Sequence, residues 1–374
     1  MVSTLSSMKR TSGSTSGFQT SSSPPGFRNL IINGDMAVAQ RGASFAAIAD
    51  GAFSLDRWKW GNVTSTGVAT VTQDTDVPTI VEAGADFKYS LKIDVTTADA
   101  SVAAGDLILL TQMIEGWNLA PLGFGAANAL PFTLSFWVKS PKTGDHTVAI
   151  ANYANNRNYP ATYSVSSANT WEKKTLTIPG DTSGTWYRTN GRGAQIRWTL
   201  LAGTTWNGTD DAWQGSNKLA VAGQVNVFDN TANNFYITGV QVEFGSSATD
   251  FEFVPWDYQL RRCQRYYWKT FAYATAPGNN VGFLGSLRGR GICVDADEPW
   301  VDVRFPVAMR TTPTVTSYNW GTGTAGEWAS SGDVADSGAR PTNFNDNGGQ
   351  IDNTDAAAAA NDTWNIHAAA DAEL

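Results

Sequence analysis

Strict alternation of apolar and polar side chains is the feature that most constrains this chain. Tyr89, Leu91, Ile93 and Val95 alternate with Ser90, Lys92, Asp94 and Thr96. Phe132, Leu134, Phe136 and Val138 alternate with Thr133, Ser135, Trp137 and Lys139, and Ala194, Ile196, Trp198 and Leu200 form a third such face. Successive side chains of a strand point to opposite faces, so this period places one face in a core and the other in water. Turn clusters at Pro141–Gly144, Pro179–Gly184 and Asn230–Asn234 separate the runs. Repeated short strands of this kind predict an all-β chain, with a jelly-roll or β-sandwich domain over residues 29–255.

The alternation slips once. Phe235 and Ile237 share one parity, Val240, Val242 and Phe244 the other, with Gly239 at the slip. A β-bulge at Gly239 would restore one continuous buried face. Leu260, Cys263, Gln264 and Tyr267 fall at helical spacing after Pro255, so residues 256–270 read as a short helical linker. Val301, Val303 and Phe305 then alternate with Asp302 and Arg304, opening a smaller C-terminal β domain over 271–374. Residues 1–28 are Ser/Thr/Gly-rich and read as a tail that cannot bury enough surface to order itself.

Composition narrows the function classes. Charged residues are 16% of the chain, with 36 Gly and 15 Trp, which suits strands joined by many turns. A net charge of −8 argues against phosphate-mediated nucleic-acid binding, which needs a basic face. No apolar run approaches the ~20 residues that span a bilayer, so membrane insertion is not expected. Lys9-Arg10 is followed by no apolar run, so the start does not read as a secretory signal. Cys263 and Cys293 make neither a disulfide framework nor a zinc site, and free thiols fit assembly in a reducing cytoplasm.

Catalytic signals are thin. His146 and His367 stand alone, and His146, in Thr143-Gly-Asp-His-Thr147, is expected on a surface turn. Asp210-Asp211, Asp295, Asp297 and Glu298 are the carboxylates from which a glycosidase pair would be drawn. Asn343-Phe-Asn-Asp-Asn-Gly348 begins like a calcium loop, but position twelve is Thr354, and an Asn-rich turn is the better reading. The aromatics are the best functional clue. Trp186, Tyr187, Trp206 and Trp213 lie among Gly, Asn and Thr, where they would either stack on sugar rings or fold back onto the core.

Two distant stretches carry a family resemblance. Asn29–Gly42 holds Asn33-Gly34-Asp35 and Gln40-Arg41-Gly42, and Val240–Phe253 holds Gln241, Glu243 and Gly245 and runs on to Cys263-Gln-Arg-Tyr-Tyr267. Together they resemble the opening and closing segments of a carbohydrate-binding-module-like β-sandwich found in tailed-phage virion proteins, mainly tail fibres and minor structural proteins. Phe305–Thr316 and the final Ala-Glu-Leu374 are similar to segments of the same proteins. The resemblance implies a non-enzymatic structural protein of the virion, assembled in the host cytoplasm. It would be a surface-exposed tail fibre or receptor-binding protein, a homotrimer contacting a host surface glycan, with residues 1–27 anchored to other virion proteins. Its alternatives are a head or collar fibre (or capsid decoration protein) and a polysaccharide-degrading tailspike-type enzyme. No cofactor is implied beyond a structural calcium, for which Asn33, Asp35 and Glu243 are the candidate ligands. The other reading is that Asn33-Gly34 turns the chain and Asp35 caps backbone amides.

Overall fold

A computed structural model describes residues 27–279, 282–290, 300–330, 335–336, 338–353 and 363–374. The tail therefore lies outside the described residues up to position 26, as do Cys293, Asp295, Asp297, Glu298 and Thr354.

The first part is a two-sheet sandwich. Its strands are β1 (Ser44–Phe45), β2 (Trp58–Val63), β3 (Val68–Asp74), β4 (Ser90–Thr97), β5 (Leu107–Glu115), β6 (Phe132–Lys139), β7 (Gly144–Asn152), β8 (Asn158–Val165), β9 (Glu172–Ile178), β10 (Arg192–Ala202), the two-residue β11 (Asn207–Gly208) and β12 (Ala220–Val221), and β13 (Asn234–Phe244). One sheet runs β1-β3-β4-β13-β6-β9 and the other β2-β5-β10-β7-β8. Leu91, Ile93, Leu134, Phe136, Ile196 and Trp198 meet between them in one buried core, so the apolar face of each predicted alternation holds. The opposite face is not in water on β6 and β10 as expected, since Thr133, Ser135, Trp137, Gln195, Arg197 and Thr199 are buried too, covered by the segments that pack outside the two sheets. Trp58 and Trp60, two apart on β2, enter the same core.

The bulge lies where the phase slip places it. Thr238 opposes Trp137 and Gln241 opposes Ser135, so three steps on β13 match two on β6. Gly239 takes φ +60°, and a Cβ there would stand 2.8 Å from the Phe87 ring. Phe235, Ile237, Val240 and Val242 are all buried as a result. Beyond the bulge, β13 pairs with residues 30–34 instead of β4: Leu30 N donates to Val242 O at 2.9 Å and Val240 N to Gly34 O at 2.9 Å.

The predicted helix, α1, spans Trp256–Gln264 and ends before Tyr267. Tyr267 belongs to β14 (Tyr267–Lys269), which pairs with the last strand, so the helical spacing overran the element. The hydrogen bonds of that ladder outweigh one more helical turn. Cys263 is fully buried against Ile32, Val38 and Tyr266, and burial pushes its thiol well above the usual range. It is the inert apolar filler expected.

The second part comprises β14, β15 (Leu287–Arg290), β16 (Trp300–Arg304), β17 (Thr314–Asn319), β18 (Trp328–Ser330), β19 (Ala335–Asp336), β20 (Ala339–Asn345), β21 (Gly348–Asn353) and β22 (Thr363–Asp371). Strand β22 pairs with β14, β15, β17 and β18, and β16-β21-β20 forms a separate antiparallel sheet. Val301, Val303, Trp328, Ile351, Trp364 and Ile366 make its own core. Asn345–Gly348 is a hairpin turn between β20 and β21. Among the described residues no helix is long and apolar enough to cross a membrane.

Candidate functional site

The residues that carry the family resemblance build a junction. Asn33 takes φ 61° and spends its whole side chain on backbone: Nδ2 donates to Val38 O (2.8 Å) and Asp56 O (3.0 Å), and Oδ1 accepts from Val38 N (2.8 Å). Gly34 is required because a Cβ would lie 2.1 Å from Val240 O. Gln40 donates through its backbone N and Nε2 to the Asp56 carboxylate, 2.6 Å each, and through Nε2 to Tyr267 O at 2.9 Å. Arg41 stacks on Tyr267 with its guanidinium 3.7 Å from the ring centre and reaches Asp371 at 3.0 Å and Glu373 at 3.3 Å. Gly42, at φ +127°, turns the chain away. Beside them Arg57 is buried, pairs with Glu373, donates to Met113 O at 2.8 Å and lies 3.6 Å over the Tyr266 ring. Arg265 of the same Gln264-Arg-Tyr-Tyr267 run grips Glu115 through two nitrogens, at 3.0 and 2.6 Å. Two cores are thus tied by charge pairs, of which Arg57–Glu373 is buried on both sides, and by stacked rings.

Gln241, Glu243 and Gly245 do a related job at the end of β13. Glu243 accepts from Thr249 N (2.8 Å), Thr249 Oγ1 (2.7 Å) and Gln241 Nε2 (3.0 Å), and Gln241 Oε1 accepts from Glu252 N (2.9 Å). Gly245 turns at φ +95° and closes on Pro131. Asp35 faces Gln259 of α1 (3.4 Å), and burial raises its carboxyl. The three candidate calcium ligands therefore do not fit a cation. Asn33 Oδ1 and both Glu243 oxygens already accept protein hydrogens, and Asp35 has a different neighbour. No three His, Cys, Asp or Glu side chains converge on a metal position among the described residues.

Of the four candidate sugar-stacking aromatics one is buried, two are half-buried and one is exposed. Trp186 is buried, its Nε1 on Asp181 Oδ2 (3.2 Å), and Trp213 packs on the core with its Nε1 on Pro179 O (2.9 Å). The two rings stand 5.5 Å apart, edge to face, around Phe124. Trp186 is a core residue and offers no face to a sugar, which corrects the expectation for it, whereas Trp213 packs one side on the core and stays partly exposed. Neighbouring residues of an extended segment point opposite ways, so burying Trp186 sends Tyr187 outward. Tyr187 is exposed and pairs with exposed Tyr153 at 4.5 Å. Trp206 is half-buried, its Nε1 held by Gly105 O at 2.9 Å.

Trp206 lines a groove of about 280 Å³ on the outer face of the five-stranded sheet, and the Tyr153–Tyr187 pair stands outside it, next to its Arg192. The alternation that sends Ile108, Leu110 and Ile196 inward sends Leu107, Leu109, Thr111, Gln195 and Arg197 outward to its floor. Lys59, Asn155, Arg192 and Asn217 line its sides. Gln195 is locked by Asn152 O (3.0 Å) and Asn155 Oδ1 (2.9 Å), and it holds Arg197 Nη2 through Oε1 at 2.5 Å. Arg192 lies 5.2 Å over the Tyr153 ring. Apolar strips, fixed polar groups and an aromatic edge at Trp206 in one groove suit a polar, ring-shaped ligand. Of its lining only Trp206 was legible beforehand. The floor residues were not, because alternation marks a face as outward without saying what lies above it.

A larger cavity, about 520 Å³, lies at the junction, lined by Phe27, Trp117, Tyr258 and the Glu115–Arg265 pair. Glu115 and Arg265 pair with each other there, while Arg262, also in the lining, donates to Asn29 O at 3.3 Å and lies 5.4 Å over the Phe27 ring. Neither histidine is placed for catalysis. His146 is fully buried, stacked on Tyr163 with a ring nitrogen 3.0 Å from Lys142 O, and burial lowers its pKa. It is not the surface residue expected, because β7 starts at Gly144 and turns His146 inward. His367 is buried on β22, 2.8 Å from Thr270 Oγ1. Asp210 accepts from Thr162 N at 2.9 Å, and burial together with Asp210 raises the Asp211 carboxyl.

No protein-family model matches the sequence. No curated relative matches it either. Among solved structures, the enzymatically active domain of tailspike protein 4 of bacteriophage CBA120 aligns at 17% identity and TM-score 0.29, covering 53% of this chain and 21% of that one. A CBM4 structure aligns at 16% identity and TM-score 0.30, covering 57% and 99%. The family 11 carbohydrate-binding module from Clostridium thermocellum, in complex with a β-1,3-1,4-mixed-linked tetrasaccharide, aligns at 8% and 0.27, covering 55% and 97%. At these scores the likenesses assign no function, and the chain spans about a fifth of the tailspike domain's length.

Proposed function

We propose that this protein is a non-enzymatic structural component of a tailed-phage virion, a tail fibre or receptor-binding protein that contacts host glycans. One observation carries the glycan part: the groove on the five-stranded sheet gathers rigid polar side chains beside Trp206. The virion part rests on the sequence resemblance of residues 29–42, 240–253 and 263–267. A homotrimer is the working assembly, with residues 1–27 joining other virion proteins.

The test is adsorption to host cells by virions carrying Trp206→Ala or Tyr187→Ala. Both should adsorb more weakly while the variant proteins remain folded; normal adsorption by both removes the groove from the proposal. Cryo-EM of the virion locates the protein. Density confined to capsid vertices would replace the tail fibre by a head or collar fibre, and release of reducing sugar from host glycans would replace it by an enzyme.

A further inference from the structure

The groove holds cations that the protein does not neutralise. Arg192 and Arg197 line it, and neither makes an ion pair among the described residues. Arg197 is only 9% exposed, and the Nε atoms of both arginines are buried without an acceptor. Lys59 lies beside them with the same sign. The acid lining the groove is Asp50, whose Oδ1 is taken by Asn62 N at 2.8 Å; Asp371 acts on Lys59 from farther away. Burial and the neighbouring Arg192 together lower Arg197 to about 10. The chain as a whole carries −8, so this is a local reversal of sign.

A desolvated guanidinium without a counter-charge is costly, and an incoming oxyanion relieves that cost. Guanidinium forks also match planar and tetrahedral oxyanions through two parallel hydrogen bonds. We propose that the glycan taken by this groove is acidic, its carboxylate or phosphate held among Lys59, Arg192 and Arg197 while a sugar ring lies along Trp206. This rests on the glycan reading above and adds the charge class of the ligand.

The experiment is a glycan array probed with the full chain, in which each acidic member (uronate, sialylated, phosphorylated) is printed beside a neutral counterpart of the same backbone. Acidic members should bind at least about tenfold better, as charge-assisted hydrogen bonds allow. That preference should shrink as salt rises from roughly 20 to roughly 200 mM. The uronate and phosphate arms decide which oxyanion is held. Arg192→Gln and Lys59→Met, at the sides of the groove, should bring binding of acidic members down to that of their neutral counterparts; they serve as the test if the buried Arg197→Gln does not fold. Equal binding of neutral and acidic members overturns the acidic assignment and leaves the glycan reading standing. A preference that survives both side variants also overturns it. Silence across the whole array removes both.

Discussion

Replacing Glu373 by Gln tests whether the junction is held by buried charge. Glu373 is 4% exposed and its partner Arg57 1%. The same carboxylate reaches Arg41 at 3.3 Å, and Arg41 and Arg57 repel each other. Gln keeps the shape, so packing changes little while two guanidiniums lose the charge between them. Arg57 is left with Met113 O and the Tyr266 ring. Removing one partner of a buried pair costs about 3–5 kcal/mol. The control is Asp371→Asn, which also removes an acid from Arg41 but at a side chain 45% exposed. An exposed pair contributes about 0–1 kcal/mol. Urea unfolding followed by tryptophan fluorescence reads both, because Trp58 and Trp60 report one core and Trp328 and Trp364 the other. Glu373→Gln should lower the midpoint several times more than Asp371→Asn. Equal shifts in the two variants would refute the assignment of stability to burial of the pair. A double variant, Arg57→Leu with Glu373→Leu, should recover part of the loss, since it leaves no orphaned charge.

Three further outcomes are expected. Gly239→Ala should cost at least about 1–3 kcal/mol, because a left-handed φ and a 2.8 Å approach to Phe87 both resist a Cβ; an unchanged melting temperature would dismiss the bulge as a structural requirement. Trp213→Ala should destabilise the sandwich by at most about 3 kcal/mol, since the ring is partly exposed, through loss of contacts with Phe124, Tyr159 and Trp186, and a variant as stable as wild type would contradict its packing against the core. Burial lowers Lys269 from 10.5 to about 8, although its Nζ donates to Tyr273 O and Thr275 O. The unfolded chain then binds more protons than the folded one between those values, so stability from this group rises with pH there and its cost is fully present below about 8. Wild type should therefore gain on Lys269→Met, by at most about 3 kcal/mol, as pH goes from 8 towards 10. A flat or falling difference in urea midpoints would go against it.

What local pattern encodes could be read early. Alternation at Tyr89–Thr96, Phe132–Lys139 and Ala194–Leu200 and the slip at Gly239 are properties of neighbouring residues, and strand geometry fixes their consequence. The paired alternation of Val301 and Val303 foretold the second core for the same reason. Tyr267 deceived the pattern because a spacing of seven fits a helix or a strand end equally well. His146 deceived it because a Gly-Asp-His run in sequence does not show where the turn stops and the strand begins.

The candidate site was only half legible. Composition marked Trp186, Tyr187, Trp206 and Trp213 as aromatics in polar surroundings, but which of them face water depends on what packs above each segment. The sequence by itself determined that this is an all-β chain with two cores and a bulge, since those follow from periodicity. Tertiary structure alone decided that Gln40, Arg41, Asp56, Arg57, Tyr267, Asp371 and Glu373 meet in one junction, and that Lys59, Arg192 and Arg197 share one groove. Charges separated by more than a hundred residues carry no local signature, and only the closing of two sheets brings them within reach of each other or leaves them without a partner.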